Sequence, residues 1–248
     1  MPSTRLHLSD LIDSGLALFY PQRCHVCEGQ VESRHDGVAC AACWNQTKLF
    51  DEVATLCWKC GVFTDAPVRR EQAEDVRCRQ CDDEDFSIAR ACGLYEGALR
   101  ASILNLKREP HVPWRLGGLM LAAQQRRPLS SADLIIPVPL HRERERQRGF
   151  NQATVLAHSL TRQSGLPLNE HSLARRVHTE RHRAGMDAKA RGKSVANAFE
   201  VRRADLIVGR RVLLVDDVFT TGATVSACAR VLKEAGAEDV FVLTLARA

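Results

Sequence analysis

Eight cysteines in the first 81 residues, set as four C-x-x-C pairs, limit what the amino-terminal part of this 248-residue chain can become. The pairs are Cys24/Cys27, Cys40/Cys43, Cys57/Cys60 and Cys78/Cys81, with twelve residues between Cys27 and Cys40 and seventeen between Cys60 and Cys78. A C-x-x-C turn puts two thiolates on one side of an ion, and two such turns close a tetrahedral four-sulfur site of the kind zinc takes. Sequential pairing gives one site on Cys24, Cys27, Cys40 and Cys43 and another on Cys57, Cys60, Cys78 and Cys81; a cross-braced pairing, first with third and second with fourth, is the open alternative. Closed four-thiolate sites leave no position for a substrate, so the two zinc ions expected here are structural. Few large apolar side chains occupy residues 20–85, and such a segment depends on metal to fold. Cys92 and Cys228 stand outside the pattern and are expected to be small buried residues.

Cysteine use and charge both divide the chain. Nine of the ten cysteines precede residue 93. Residues 1–100 hold 11 basic and 16 acidic side chains, a net −5, while residues 101–248 hold 24 and 14, a net +10. These shifts predict an amino-terminal helix and double zinc ribbon in residues 1–85 and a second domain in residues 86–248. The basic half is the one expected to meet anions. At the amino terminus Leu8, Leu11, Ile12, Leu16 and Phe19 recur at helical spacing, but Asp10 and Asp13 interrupt the run, which argues against a signal peptide or a membrane span. A cytoplasmic protein without membrane contact is expected, its cysteines thiols or metal thiolates and not disulfides.

The chemistry is densest in VLLVDDVFTTGAT, residues 212–224. Leu213, Leu214 and Val215 read as the end of a strand, Asp216 and Asp217 as its carboxyl edge, and Phe219 to Thr224 as a loop. Val225, Cys228, Val231, Leu232 and Ala235 then mark one face of a helix over residues 224–236. Unpaired N–H groups and the dipole at a helix start attract an anion, most simply a phosphate. Gly222 would let the backbone approach that ligand, and Thr220, Thr221 and Thr224 would supply hydroxyl donors. Two carboxylates repel a phosphate, but as pure acceptors they suit the hydroxyls of an attached sugar. A phosphate cup beside such a pair describes a 5-phosphoribose site. The glycine-lysine-serine run Gly192-Lys193-Ser194 has Asp187 where a Walker A loop requires a glycine, and no glycine-lysine-threonine run occurs, which excludes that motif.

Around this stretch the chain alternates strands and helices. FSIARACGLYEGALRASILNLKRE, residues 86–109, reads as a strand, a turn near Glu96 and Gly97, and a helix through Leu99, Ile103 and Leu106; a second helix is predicted from Leu116 to about Arg126. KREPHVPW between them is a loop. ADLIIPVPL, residues 132–140, is an apolar run expected to be a central parallel strand ending in a rigid turn at Pro137 and Pro139. Residues 171–199 are basic and poor in large apolar side chains, a loop of the length that is usually functional. EDVFVLTLARA, residues 238–248, is another buried strand. The fold class that follows is α/β: a parallel sheet covered by helices on both faces, with ligands at the carboxyl ends of its strands.

VLLVDDVFTTGAT resembles the signature of type I phosphoribosyltransferases, which use phosphoribosyl pyrophosphate (PRPP). IPVPLHRERERQRGFNQA, residues 136–153, looks like the loop that follows the first core strand in ComF-type members of that group. Together with the four C-x-x-C pairs, these motifs make residues 15–248 similar to the ComF/GntX family, a double zinc ribbon before a type I phosphoribosyltransferase fold. The resemblance implies transfer of 5-phosphoribosyl from PRPP to a nitrogenous acceptor, with magnesium neutralising the pyrophosphate. Asp216 and Asp217 would be catalytic, holding the ribose hydroxyls beside developing positive charge. Val218, Phe219, Thr220, Thr221, Gly222, Ala223 and Thr224 would bind the 5-phosphate end of PRPP. The loop with Pro139 and Leu140 would face its pyrophosphate through Arg142, Arg146 or Arg148; Lys107 would contact a phosphate of the substrate, and a hood formed by residues 171–199 would carry arginines, Arg191 among them, toward the leaving group. Where the family often shows glutamine and asparagine in that hood, this chain has Arg183 and Ser194, so the acceptor contacts are the least defined part. Family members are linked to competence, which implies single-stranded DNA, a competence helicase or other DNA-processing proteins as partners, and a homodimer is compatible with the group. The alternative is a catalytically inactive nucleic-acid-binding accessory protein or a PRPP-sensing regulator, suggested by the zinc ribbons and the basic half.

Overall fold

The structure, a computed structural model, describes residues 22–50, 57–62, 76, 78, 81, 83–176 and 198–248. The helix expected before residue 21 lies outside the described residues, as does Arg191 with most of the expected hood. In chain order the elements are α1 (Ala41–Gln46), β1 (Ile88–Leu94), α2 (Gly97–Leu106), α3 (Trp114–Gln124), β2 (Leu134–Pro137), α4 (Arg142–Arg148), α5 (Gln152–Ser164), β3 (Leu173–Arg175), β4 (Phe199–Val201), β5 (Arg211–Phe219), α6 (Ala223–Glu234) and β6 (Asp239–Arg247). No helix among the described residues is long and apolar enough to cross a membrane.

Four strands form one parallel sheet in the order β1-β6-β5-β2, and β3 pairs antiparallel with β4. The uninterrupted apolar run of β5 is explained by burial on both faces. Leu213 and Val215 pack with Leu99, Ile103, Met120 and Leu156 from α2, α3 and α5, whereas Val212 and Leu214 pack with Val225, Cys228 and Leu232 from α6. Those three α6 residues, with Ala229, follow the spacing of one helical stripe, so Cys228 is a core residue, as Cys92 is on the other face.

Three expectations change. The strand expected to end at Val215 runs on to Phe219, because Asp216 and Val218 keep register with Thr244 and Ala246 of β6. β2 pairs with β5 alone among the named strands and so is not central. On its other side Ile135 makes two backbone hydrogen bonds with the passing chain, donating to Pro167 O and accepting from Asn169 N, both at 2.9 Å. The arginine-rich stretch after β2 is a short helix, α4, and not a loop. His141 Nδ1 accepts from Glu143 N at its start, Gly149 closes it at φ +84°, and Arg and Glu, both good helix formers, alternate at i, i+3 spacing.

The cysteine-rich half is seated against β1 and the helices. Ala89 N donates to Lys59 O, Leu94 N to Lys48 O and Phe50 N to Cys92 O, at 2.7 to 2.9 Å. Thr47 Oγ1 accepts from Ala98 N at the start of α2. Arg115 of α3 pairs with Asp36 at 2.7 Å and lies 4.9 Å over the Trp44 ring. Cys24, Cys40, Cys43 and Trp44 belong to the same buried cluster as Ile88, Leu99 and Met120.

Candidate functional site

The cysteines form two separate clusters in sequential pairing, Cys24/Cys27/Cys40/Cys43 and Cys57/Cys60/Cys78/Cys81, with the ligand atoms of each within 4.8 Å of one another. The cross-braced alternative is thereby ruled out. Sulfur-to-sulfur distances are 3.7 Å for Cys24–Cys43 and Cys27–Cys40, 3.5 Å for Cys57–Cys81, and 3.4 Å for Cys60–Cys78 and Cys78–Cys81. A tetrahedron with zinc–sulfur bonds of about 2.3 Å has edges of about 3.8 Å, so both clusters fit zinc. Cys24 Sγ accepts from the N–H groups of Val26 and Cys40, and Cys57 Sγ from that of Cys78. Burial opposes ionisation of both thiols, but these and neighbouring backbone donors bring each down to about 6.

At the carboxyl end of the sheet, β5 carries Asp216 and Asp217 and turns through Thr220, Thr221 and Gly222 into α6. Gly222 is the residue before the helix, at φ +85°. A Cβ there would meet Phe219 Cζ at 2.8 Å and Glu84 Oε1 at 3.1 Å. Its bare backbone therefore also answers crowding within the protein, a reason separate from the approach of a ligand that the sequence suggests. Thr221 Oγ1 accepts from Ala223 N, and the hydroxyl-bearing turn stays exposed. Asp216, Val218, Phe219, Thr220, Gly222 and Thr224 line one small hollow.

Lys107, in the turn after α2, reaches this pair, its Nζ 3.5 Å from Asp217 Oδ2. Asp217 N donates to Asp216 Oδ1 at 2.8 Å. Burial, followed by the neighbouring charge of Asp217, pushes the Asp216 carboxyl up to about 8. A cation or a cluster of hydroxyl donors arriving beside the pair would favour its ionised form.

Pro139, Leu140 and Arg142 lie elsewhere, lining a neighbouring cavity of about 350 Å³ shared with Arg175, Arg202 and Glu170. Arg146 and Arg148 do not line it. Sequence reading missed Arg175, which belongs to β3 at the base of the expected hood and lies within electrostatic range of both Arg144 and Asp216. It also missed the role of Asn151. This residue caps α5 by accepting from Ala153 N, and its Nδ2 donates to Val138 O at 2.9 Å, bracing the Pro137–Pro139 turn. An asparagine just before an apolar helical pattern is a capping signal, visible in RGFNQA.

An acidic pair followed by a threonine-glycine turn into a helix, at the carboxyl end of a parallel sheet, defines a phosphoribosyltransferase-type domain, here preceded by a double zinc ribbon. Residues 147–248 match the phosphoribosyl transferase domain and residues 15–93 the double zinc ribbon domain. Competence protein F of Haemophilus influenzae is 30% identical over 239 residues, covering 93% of this chain and 99% of that protein. DNA utilization protein YhgH of Escherichia coli K12 is 30% identical over 237 residues with the same coverage. Competence protein ComFC of Bacillus subtilis is 36% identical over 118 residues, 46% of this chain and 44% of that protein. The chain belongs to the ComF/GntX family.

Proposed function

We propose that the chain binds PRPP at the end of β5 and transfers its 5-phosphoribosyl group to a nitrogenous acceptor, in the competence and DNA-utilisation setting that its relatives' names describe. The observation that carries this reading is the position of Asp216 and Asp217 near the carboxyl end of β5, where two residues separate Asp217 from the Thr220–Gly222 turn that opens α6. The turn and the α6 N–H groups receive the 5-phosphate, and the carboxylates accept from the ribose 2- and 3-hydroxyls. Lys107, beside Asp217, and Arg142 and Arg175, in the neighbouring cavity, supply the positive charge that a pyrophosphate requires.

In the transfer the bond from the anomeric carbon to pyrophosphate breaks with its electron pair leaving on oxygen. The acceptor nitrogen lone pair forms the new bond, and the acceptor gives up a proton to solvent or a nearby base. Negative charge from Asp216 and Asp217 favours the positive charge that develops on the sugar. The pair offers the hard oxygen donors magnesium takes, and that ion, when bound, supplies neutralisation of the leaving group. Each cysteine cluster holds one structural zinc, for which its sulfur geometry is suited.

The test is the double variant Asp216→Asn with Asp217→Asn. It is expected to keep the fold, seen by circular dichroism, and to lose PRPP binding and pyrophosphate release; undiminished binding and turnover would overturn the assignment. A second reading, single-strand binding, is favoured by Trp114, 71% exposed at a cavity also lined by His111 and by the guanidinium groups of Arg34 and Arg162, a stacking face beside two cations. Trp114→Ala with Arg162→Ala is expected to weaken salt-dependent binding of a single-stranded oligonucleotide and to leave PRPP binding unchanged; equal oligonucleotide affinity in the double variant would remove this reading.

A further inference from the structure

The turn that opens α6 is held from behind by the second cysteine cluster. The chain leaves Cys81 through Glu84, whose N–H donates to Cys81 O at 3.3 Å, and reaches α6 within four residues. Asp85 N donates to Ser226 Oγ at 2.8 Å, and that hydroxyl donates to Asp85 Oδ2 at 3.3 Å. Ser226 is buried in the first turn of α6, and its own N–H donates to Gly222 O. Glu84 Oε1 closes on Gly222 itself.

The same cluster also grips the strand end. Phe86 packs edge-to-face on Phe219, with ring centroids 5.8 Å apart. Arg247 lies 4.6 Å over the Phe219 ring and donates from Nη1 to Cys60 O at 2.7 Å. Phe219 in turn limits the space at Gly222. The turn is thus bounded at Phe219, Gly222 and Ser226 by groups that begin at Cys60 or Cys81.

We propose that this arm, residues 83–86 together with the Cys60–Arg247 link, positions the Thr220–Gly222 turn, so that the second cysteine cluster is a working support of the ligand site and not only a folding device. The turn has few contacts of its own: Thr220 and Thr221 are exposed, and a loop that must present N–H groups to a phosphate loses affinity when its backbone is free to wander. Asp85 and Glu84 act as positioning residues through Ser226 and Gly222, without touching ligand. The affinity consequence rests on the PRPP reading above; the ordering of the turn does not.

The test uses the full-length, zinc-loaded chain and three forms: wild type, Ser226→Ala, which removes the hydroxyl both Asp85 contacts use, and Ser226→Thr, which keeps it. Ser226→Ala is expected to retain the wild-type zinc content and far-ultraviolet circular dichroism, to raise amide hydrogen exchange over residues 219–226 but not over β2, and to weaken PRPP binding in calorimetry about tenfold. Ser226→Thr is expected to restore both readouts, which a loss of bulk packing alone would not predict. Unchanged exchange over residues 219–226 in Ser226→Ala overturns the positioning role, whatever PRPP does. Raised exchange in a chain whose wild type binds no PRPP leaves the positioning role standing and removes the PRPP reading, whereas raised exchange with unaltered PRPP affinity overturns the link between the arm and the ligand.

Discussion

At Gly222 two demands meet, a left-handed backbone and a space already claimed by Phe219 and Glu84. Gly222→Ala is expected to cost about 1–2 kcal/mol for the backbone alone, measured by denaturant unfolding, and to abolish PRPP binding by displacing the turn. Asp216 gives a second prediction. With its carboxyl pushed up to about 8 by burial and by Asp217, the ionised form that accepts sugar hydroxyls gains population as pH rises. PRPP affinity should therefore climb about tenfold per pH unit below that value and level off above it, with proton uptake by buffer visible in calorimetry. Asp217→Asn removes the like charge and should move the climb to lower pH. For stability the sign is opposite: the folded state holds the Asp216 proton more tightly than the unfolded chain, so this residue's contribution is present at low pH and lost as pH rises toward about 8. The acidic pair and the threonines were legible in VLLVDDVFTTGAT because strand, turn and helix periodicities abut there. The crowding at the glycine was not, since Glu84 comes from a distant part of the chain and only the fold brings it there.

Among the elements, β5 carries most of the architecture. Leu214 is fully buried between α6 and its sheet neighbours, and Leu214→Ala is expected to cost about 2–5 kcal/mol, read as a lowered denaturation midpoint. The run VLLV announced a strand buried on both faces, but not where it stops: backbone pairing with β6 carries it through two aspartates that hydropathy alone would exclude. α4 shows the reverse failure. Resemblance placed Arg142, Arg146 or Arg148 at the pyrophosphate, and of these Arg142 lines the cavity; at about 100° and 1.5 Å per residue the helix turns Arg148 to another face and carries Arg146, on the same face as Arg142, about 6 Å further along the axis. Arg142→Ala is accordingly expected to weaken PRPP binding several-fold and Arg146→Ala to leave it within error, a difference that titration calorimetry resolves.

Across the whole molecule the cysteine-rich half and the sheet share one buried cluster, through Trp44, Cys43, Leu99 and Met120. Composition located the change in chemistry near residue 85, yet composition cannot report that the apolar side of one part is covered by the other. Stripping zinc with a chelator is expected to abolish the near-ultraviolet signal of Trp44 and to lower the melting temperature of the sheet as well, in one transition; a sheet that melts unchanged after complete metal removal would contradict the shared core.

The backbone bonds along β1 and β2 have one more effect. Lys48, Phe50 and Lys59 on one side and Pro167 and Asn169 on the other occupy hydrogen-bonding positions that the outermost strands would otherwise offer to a neighbouring chain. Both flanks are closed to strand-by-strand addition, a route by which exposed edges drive polymerisation. Extension of the four-stranded sheet from one copy into another is thereby disfavoured, and a fragment that begins at residue 86 exchanges a protected flank for an adhesive one.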